Sequence, residues 1–142
     1  MLMGENYHVA NRQLLITAVA LVDRSGHILV QKRPAGKPMA GLWEFPGGKV
    51  EADETPSSAL CRELAEELNI RVDEKDLQPF AFASEPLGER QLLLLLYICR
   101  LWQGDPHPVI ADELRWCTVD ALTHLAMPPA DVPLVDRLRE IL

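Results

Sequence analysis

The sequence predicts an α/β (α+β) fold in which a mixed β-sheet is covered by helices on both faces. Three observations carry this expectation. Short aliphatic runs bounded by turn residues recur along the chain as strand candidates. Two segments show helical apolar stripes, and the first of them also has clear start signals. Loops containing glycine and proline separate these segments.

Leu14 to Val22 is rich in aliphatic residues and reads as a strand. Asp23-Arg24-Ser25-Gly26 is a turn and His27 to Lys32 a second strand, so the two are expected to form a hairpin. Arg33 to Leu42 is a loop, with Pro34, Gly36, Pro38 and Gly41, and Trp43 to Phe45 is briefly extended before Pro46. Thr55 supplies an N-cap and Pro56 the first position of a helix whose apolar stripe is Leu60, Leu64 and Leu68, with Ala59 and Cys61 alongside. Leu77 to Ser84 and Gln91 to Leu101 read as strands joined by a polar turn, Glu85 to Arg90. Glu113 to Thr118 is a further short strand, and Val119 to Leu125 a helix. Val132 to Leu142 closes the chain as an amphipathic helix, with Leu134, Val135, Leu138, Ile141 and Leu142 facing inward. The expected organisation is a loose N-terminal arm over residues 1–12 and a single domain over residues 13–142.

Composition narrows the partners. With 142 residues and 48% hydrophobic content the chain can bury a sizeable core. A formal net charge of −7 argues against a nucleic-acid polymer, whose binding depends on neutralising phosphates. A nucleotide escapes that objection, because one bound with Mg²⁺ brings its own countercharge. Cys61, Cys99 and Cys117 are odd in number and lack metal-ligand spacing, which suits reduced thiols in the cytoplasm. The apolar run Leu92 to Cys99 is far shorter than the roughly 20 residues of a membrane helix, and no membrane partner is expected. A monomer or a homodimer is consistent with the sequence.

The chemistry concentrates around the first helix. Glu63, Glu66 and Glu67 stand at i, i+3 and i+4, share one helical face and lie off the leucine stripe. Like charges at this spacing oppose an isolated helix by roughly 0.2–0.5 kcal/mol per pair. They form either a solvated face or a cation site, and all-carboxylate donors suit a hard ion such as Mg²⁺, with Mn²⁺ as the alternative. Just upstream, Pro46-Gly47-Gly48 offers a backbone that a ligand can approach closely. Arg33 and Lys49 are the cations assigned to phosphates, against a reading as generic exposed bases. Arg62 is also placed to pair with Glu66, and Glu54 to favour the helix start.

Over the 23 residues from Gly48 to Ile70 the chain resembles the signature of the Nudix hydrolases, G-x5-E-x7-R-E-U-x-E-E-x-G-U, where U is a bulky aliphatic. Gly48, Glu54, Arg62, Glu63, Leu64, Glu66, Glu67 and Ile70 fall in register. Asn69 stands where the family usually has glycine, a mild departure because Asn tolerates a left-handed helix cap. Gly41-Leu42-Trp43-Glu44-Phe45-Pro46-Gly47-Gly48-Lys49 extends the likeness to the MutT-type branch.

The resemblance implies an α/β/α sandwich and Mg²⁺-dependent hydrolysis of a nucleoside triphosphate to a monophosphate and pyrophosphate. It implies that Glu63, Glu66 and Glu67, with the backbone carbonyl of Gly47, hold the divalent ions. Arg62 would then orient a catalytic glutamate, and Glu54 assist the attacking water. Arg33 matches a nucleotide-contacting arginine of MutT-like enzymes, and Arg90 matches another loosely. Asp131 is either the N-cap of the last helix or the counterpart of a base-contacting Asn or Asp. A carboxylate there accepts only, which suits the donor edge of a guanine or a cytosine. Phe45 and Phe82 are candidate walls for the base, or core residues. The implied substrate is an oxidised guanine nucleotide such as 8-oxo-dGTP, with a CTP or dCTP pyrophosphohydrolase or a non-catalytic nucleotide-binding module as alternatives. One family feature is missing: Ile110 occupies a position where MutT-like enzymes often carry a further glutamate, so either Asp112, Glu113, Glu85 or Glu89 replaces it, or the three helix glutamates suffice, or catalysis is weakened.

Overall fold

In the computed structural model, which describes residues 12–142, strand alternation divides the interior into two apolar clusters on opposite faces of a β layer. All of the expected N-terminal arm except Arg12 lies outside the described residues. On β1 (Gln13–Leu21), Val19 and Leu21 face one cluster, while Ala18 and Ala20 face the other. The first cluster is closed by Leu60, Leu64 and Leu68 of α1 (Pro56–Leu68). The second is closed by Leu122 of α2 (Val119–Leu122) and by Leu134, Val135 and Leu138 of α3 (Asp131–Arg139). The result is a three-layer α/β/α arrangement.

The β layer is two sheets rather than one. Besides β1, its strands are β2 (Ile28–Lys32), β3 (Trp43–Glu44), β4 (Gly47–Lys49), β5 (Gln78–Leu87), β6 (Arg90–Cys99) and β7 (Glu113–Cys117). The larger sheet runs β4-β1-β6-β5 and the smaller β3-β2-β7. The expected hairpin between the first two strands therefore does not form. Both edges of β1 are already taken, by β4 antiparallel and by β6 parallel, so β2 has to pair elsewhere. They are joined across the turn by the isolated bridge Val22–Ile28, the 3.0 Å bond from Asp23 N to His27 O and the 2.8 Å bond from His27 N to Asp23 Oδ1, not by a strand ladder. The expected turn from Glu85 to Arg90 is also shorter in the structure. Glu85, Pro86 and Leu87 continue the ladder opposite Leu92, Gln91 and Arg90, leaving only Gly88-Glu89 between the strands.

Local signals set the ends of α1. Thr55 accepts from Ser58 N at 3.2 Å, and Ser58 Oγ accepts from Thr55 N at 3.0 Å, a reciprocal cap reinforced by Pro56. Asn69 ends the helix at φ 57°, ψ 37°, the left-handed conformation in which it substitutes for glycine. Among the described residues no helix is long and apolar enough to cross a membrane.

Candidate active site

The acidic face of α1 is organised by one arginine. Arg62 Nε donates to Glu54 Oε2 at 2.6 Å and Nη2 to Glu54 Oε1 at 2.8 Å, a bidentate pair. Its Nη1 reaches Glu63 Oε1 at 2.9 Å and Glu66 Oε2 at 3.2 Å, and Nη2 also bonds the carbonyl of Lys49 at 3.1 Å. The fork thus ties the helix to strand β4 and to the loop before the helix. The Arg62 hydrogen bonds hold the Glu54 carboxyl down at about 2, and the guanidinium is pushed up in turn, chiefly by Glu54. The Glu54 pKa lies below the ordinary value of 4.5, so the pair's contribution to stability is complete above that value and is lost progressively as pH falls toward about 2. Replacing Arg62 with Lys leaves a point charge that cannot make this fork. Arg62→Lys is expected to lower kcat about 10-fold with a nearly unchanged melting temperature, as measured by steady-state kinetics and calorimetry.

Glu63 lies against the glycine strand, where a Cβ on Gly48 would overlap its carboxylate. Burial raises the Glu63 pKa, against the opposing pull of Arg62. Gly47 meets β1 so closely that a Cβ there would overlap the backbone carbonyl of Thr17. The two glycines of β4 are therefore needed for close approach, one to a strand and one to a side chain.

Glu67 is set apart from its neighbours on the helix. Its Oε1 accepts from Gln31 Nε2 at 3.1 Å, while its Oε2 is buried with no hydrogen-bond partner among the described residues. Burial pushes its carboxyl up to about 8, and the hydrogen bond from Gln31 opposes this. The Gly47 N–H also favours the ionised form, although it makes no hydrogen bond of ordinary geometry to this carboxylate. An electron-rich oxygen held out of water is a poor resting arrangement, and a bound cation would relieve it. Among the described residues there is no group of three acidic, His or Cys side chains that could hold a metal ion. A hard divalent ion does not need one, since Mg²⁺ is commonly held by one or two carboxylates together with water and substrate phosphates. The donor set of Glu67 and Glu63 beside the β4 backbone fits such an ion.

Glu67 also lines a cavity of about 440 Å³ bounded by Gly47, Gly48, Phe45, Leu92 and Leu94. Its polar groups include Arg33, Glu44, Glu85 and Asp131. Arg33 is fixed there by a 2.8 Å bond from Nη1 to Glu44 Oε1 and a 2.7 Å bond from Nε to the Pro38 carbonyl. Asp131 is not the N-cap of the last helix. Ala130 takes that place without a side-chain bond, and the Asp131 carboxylate turns inward. It is 6% exposed and its Oδ2 accepts from Phe45 N at 3.1 Å. Burial pushes Asp131 up to about 7, offset in part by that hydrogen bond.

The structure does not bring every candidate to the cavity. Lys49 and Arg90 are exposed and do not line it, although the Lys49 carbonyl is held by Arg62. Phe45 forms part of the wall, whereas Phe82 is 67% exposed on the outer face of β5. Ile110 lines a smaller cleft of about 170 Å³ with Gln31, Glu44 and Glu67. Of the four acids proposed to replace a glutamate there, Asp112, Glu113 and Glu89 line neither space and Glu85 lines the larger one. Of two residues that the sequence reading did not single out, Glu44 lines both clefts and Gln31 lines the smaller one. Glu44 stands in the quoted Gly41–Lys49 segment. Gln31 is a lone amide inside an aliphatic strand, which is the signal that could have found it.

An α/β/α sandwich with an acidic helix packed beside a two-glycine strand defines the class of this protein. The NUDIX domain model matches residues 12–138, and the chain belongs to the Nudix family. It is 34% identical over 124 residues to the CTP pyrophosphohydrolase of Escherichia coli (strain K12), covering 87% of this chain and 90% of that protein. It is 29% identical over 130 residues to the 8-oxo-dGTP diphosphatase of the same organism, covering 92% and 99%. The solution structure of the E. coli ORF135 protein matches with a TM-score of 0.82 at 32% identity, covering 92% of this chain and 91% of that one.

Proposed function

We propose that this chain is a Mg²⁺-dependent nucleoside triphosphate pyrophosphohydrolase that converts its substrate and water into a nucleoside monophosphate and pyrophosphate. The observation that carries this is the position of Glu67, whose buried, unpartnered oxygen stands where the acidic helix, the glycine strand and an apolar cavity meet. Membership of the Nudix family and the names of its relatives support the same reaction class.

Glu63 and Glu67 would hold the cation beside the carbonyls of β4, with the exposed Glu66 at the outer edge. A divalent ion bound there supplies neutralisation of phosphate oxygens and a more acidic water. Arg62 fixes the Glu54 and Glu63 carboxylates in one orientation, so they need no rearrangement as substrate arrives. Arg33 presents its guanidinium at the cavity wall toward a phosphate. Phe45, Leu92, Leu94 and the Pro128-Pro129 corner exclude water from the base, and Asp131 offers it a buried acceptor. Lys49, outside the cavity, is left a steering role toward the triphosphate. Arg90 has the same role from the hairpin end. The three free cysteines suit a reducing cytoplasm.

The base read by Asp131 presents a donor edge. An oxidised guanine nucleotide such as 8-oxo-dGTP meets this requirement and is the first reading. The cytosine of CTP meets it too, and the 34% identity to a CTP pyrophosphohydrolase favours that second reading. A panel of nucleoside triphosphates incubated with Mg²⁺ and resolved by ion-pair chromatography decides between them. The expected products are a monophosphate and pyrophosphate, with the highest kcat/KM on 8-oxo-dGTP. A much faster turnover of CTP overturns the substrate choice, and tight nucleotide binding with no pyrophosphate released overturns the activity.

A further inference from the structure

Gln31 is a buried polar residue in the middle of an aliphatic strand, Ile28-Leu29-Val30-Gln31-Lys32, and is 4% exposed. Strand alternation explains its direction. Gln31 shares its face of β2 with Leu29, which packs in the α1 cluster, so its side chain points at the acidic helix. Its backbone is locked on both sides, opposite Glu44 of β3 and Leu114 of β7, which leaves the amide little freedom to wander. From there Nε2 donates to Glu67 Oε1 at 3.1 Å and lies 3.4 Å from Glu44 Oε2. Its own Oε1 is buried and unpartnered, as is Glu67 Oε2. An amide buried at the cost of one unsatisfied oxygen has to be held there by what its other end does.

We infer that Gln31 is a positioning residue, an amide clamp that fixes the Glu67 carboxylate so that Oε2 stays presented to a cation while Oε1 is tethered to β2. The inference rests on the proposed activity only for the identity of Glu67 as a cation ligand. The clamp also links the two ends of the site. The Pro38 carbonyl, Arg33, Glu44, Gln31 and Glu67 form one continuous chain of hydrogen bonds from the cavity wall to the helix. Gln31 lies outside the signature from Gly48 to Ile70, and nothing in its type alone marks it as part of the reaction.

The test is Gln31→Met, which keeps an unbranched side chain of similar volume and removes both polar atoms. Mn²⁺ binding to the nucleotide-free protein, followed by electron paramagnetic resonance, reads the clamp without any turnover. Loss of a hydrogen-bonded partner behind a metal ligand lowers metal affinity or activity by about 10–100-fold. The expected result is at least about a 10-fold weaker Mn²⁺ Kd and a kcat lowered by about 10–100-fold, with KM for the nucleotide within about 3-fold of the parent. A double-mutant cycle with Glu67→Gln separates a clamp from a general structural effect. If Gln31 acts through Glu67, the double variant is no slower than Glu67→Gln alone. An Mn²⁺ Kd and kcat both within about twofold of the parent overturn the inference, as do multiplicative losses in the cycle. Should Gln31→Met not fold, Gln31→Asn keeps the amide on a shorter stem and is read by the same measurements. A parent protein that binds Mn²⁺ but hydrolyses no nucleotide defeats the proposed activity, and the Mn²⁺ comparison still judges the clamp.

Discussion

Glu67→Gln is expected to lower kcat by about 10²–10³-fold, the equivalent of several kcal/mol of transition-state stabilisation, and at the same time to raise the melting temperature of the metal-free protein above pH 7. The second half follows from burial. The Glu67 carboxyl sits at about 8 in the fold, against an ordinary value of 4.5. The native state therefore holds this proton more tightly than the unfolded chain does. Stability from this group is complete below about pH 4.5 and is lost progressively as pH rises toward 8. The loss is on the order of 5 kcal/mol at most, at 1.36 kcal/mol per pKa unit. Glutamine has the same shape and no charge to desolvate, so the variant escapes it. Asp131, raised to about 7 from 3.8, imposes a similar loss on parent and variant alike and cancels in their difference. Thermal melts of both proteins from pH 4 to 9 in a chelator should thus show a gap that opens between about pH 5 and 8 and then levels. Added Mg²⁺ should narrow the gap by stabilising only the parent. A gap that does not vary with pH, or full turnover by the variant, refutes this account of Glu67.

Gly47→Ala is expected to cost about 3 kcal/mol or more, lowering the melting temperature by roughly 10 °C. The added methyl would collide with the Thr17 carbonyl, which is backbone and cannot rotate away. Relief requires prising β4 off β1 and breaking the pairing of Ala18 with Gly47 and Thr17 with Gly48. Gly48→Ala makes a useful contrast. The atoms it meets are the end of the Glu63 side chain, which can swing aside. That variant should melt close to the parent while losing turnover, because the carboxylate leaves its place beside Arg62. Calorimetry together with an initial-rate assay distinguishes the two. Equal melting temperatures for both variants would mean that the β4–β1 contact is looser than the backbone geometry requires.

The parts of this molecule that could be read from its sequence are those set by neighbours in the chain. The start of α1 at Thr55-Pro56, its leucine stripe and its left-handed end at Asn69 depend on residues within a few positions, and each is found in place. Strand partners depend on residues far apart. The turn at Asp23–Gly26 suggested a hairpin because nothing local shows that β4 and β6 occupy both edges of β1. Asp131 illustrates the same limit within the site. Its position before a helical run suggested a cap, whereas the tertiary fold places the Phe45 N–H where a buried carboxylate can accept from it. Gln31 and Glu44 were passed over for a related reason. A single amide among Ile, Leu and Val conveys its purpose only when its facing helix is known.

The bond from Phe45 to Asp131 joins residues 86 positions apart, and β2 waits for β7 from the far end of the chain. Closing such long loops carries a large entropic cost that only the final packing repays. During synthesis the acidic helix is therefore made well before the cavity beside it is closed, and a chain released before Asp131 would carry the signature without that residue in the cavity wall. Damage to the last helix would act on folding and on the cavity together, because its first residue, Asp131, is also part of the cavity wall.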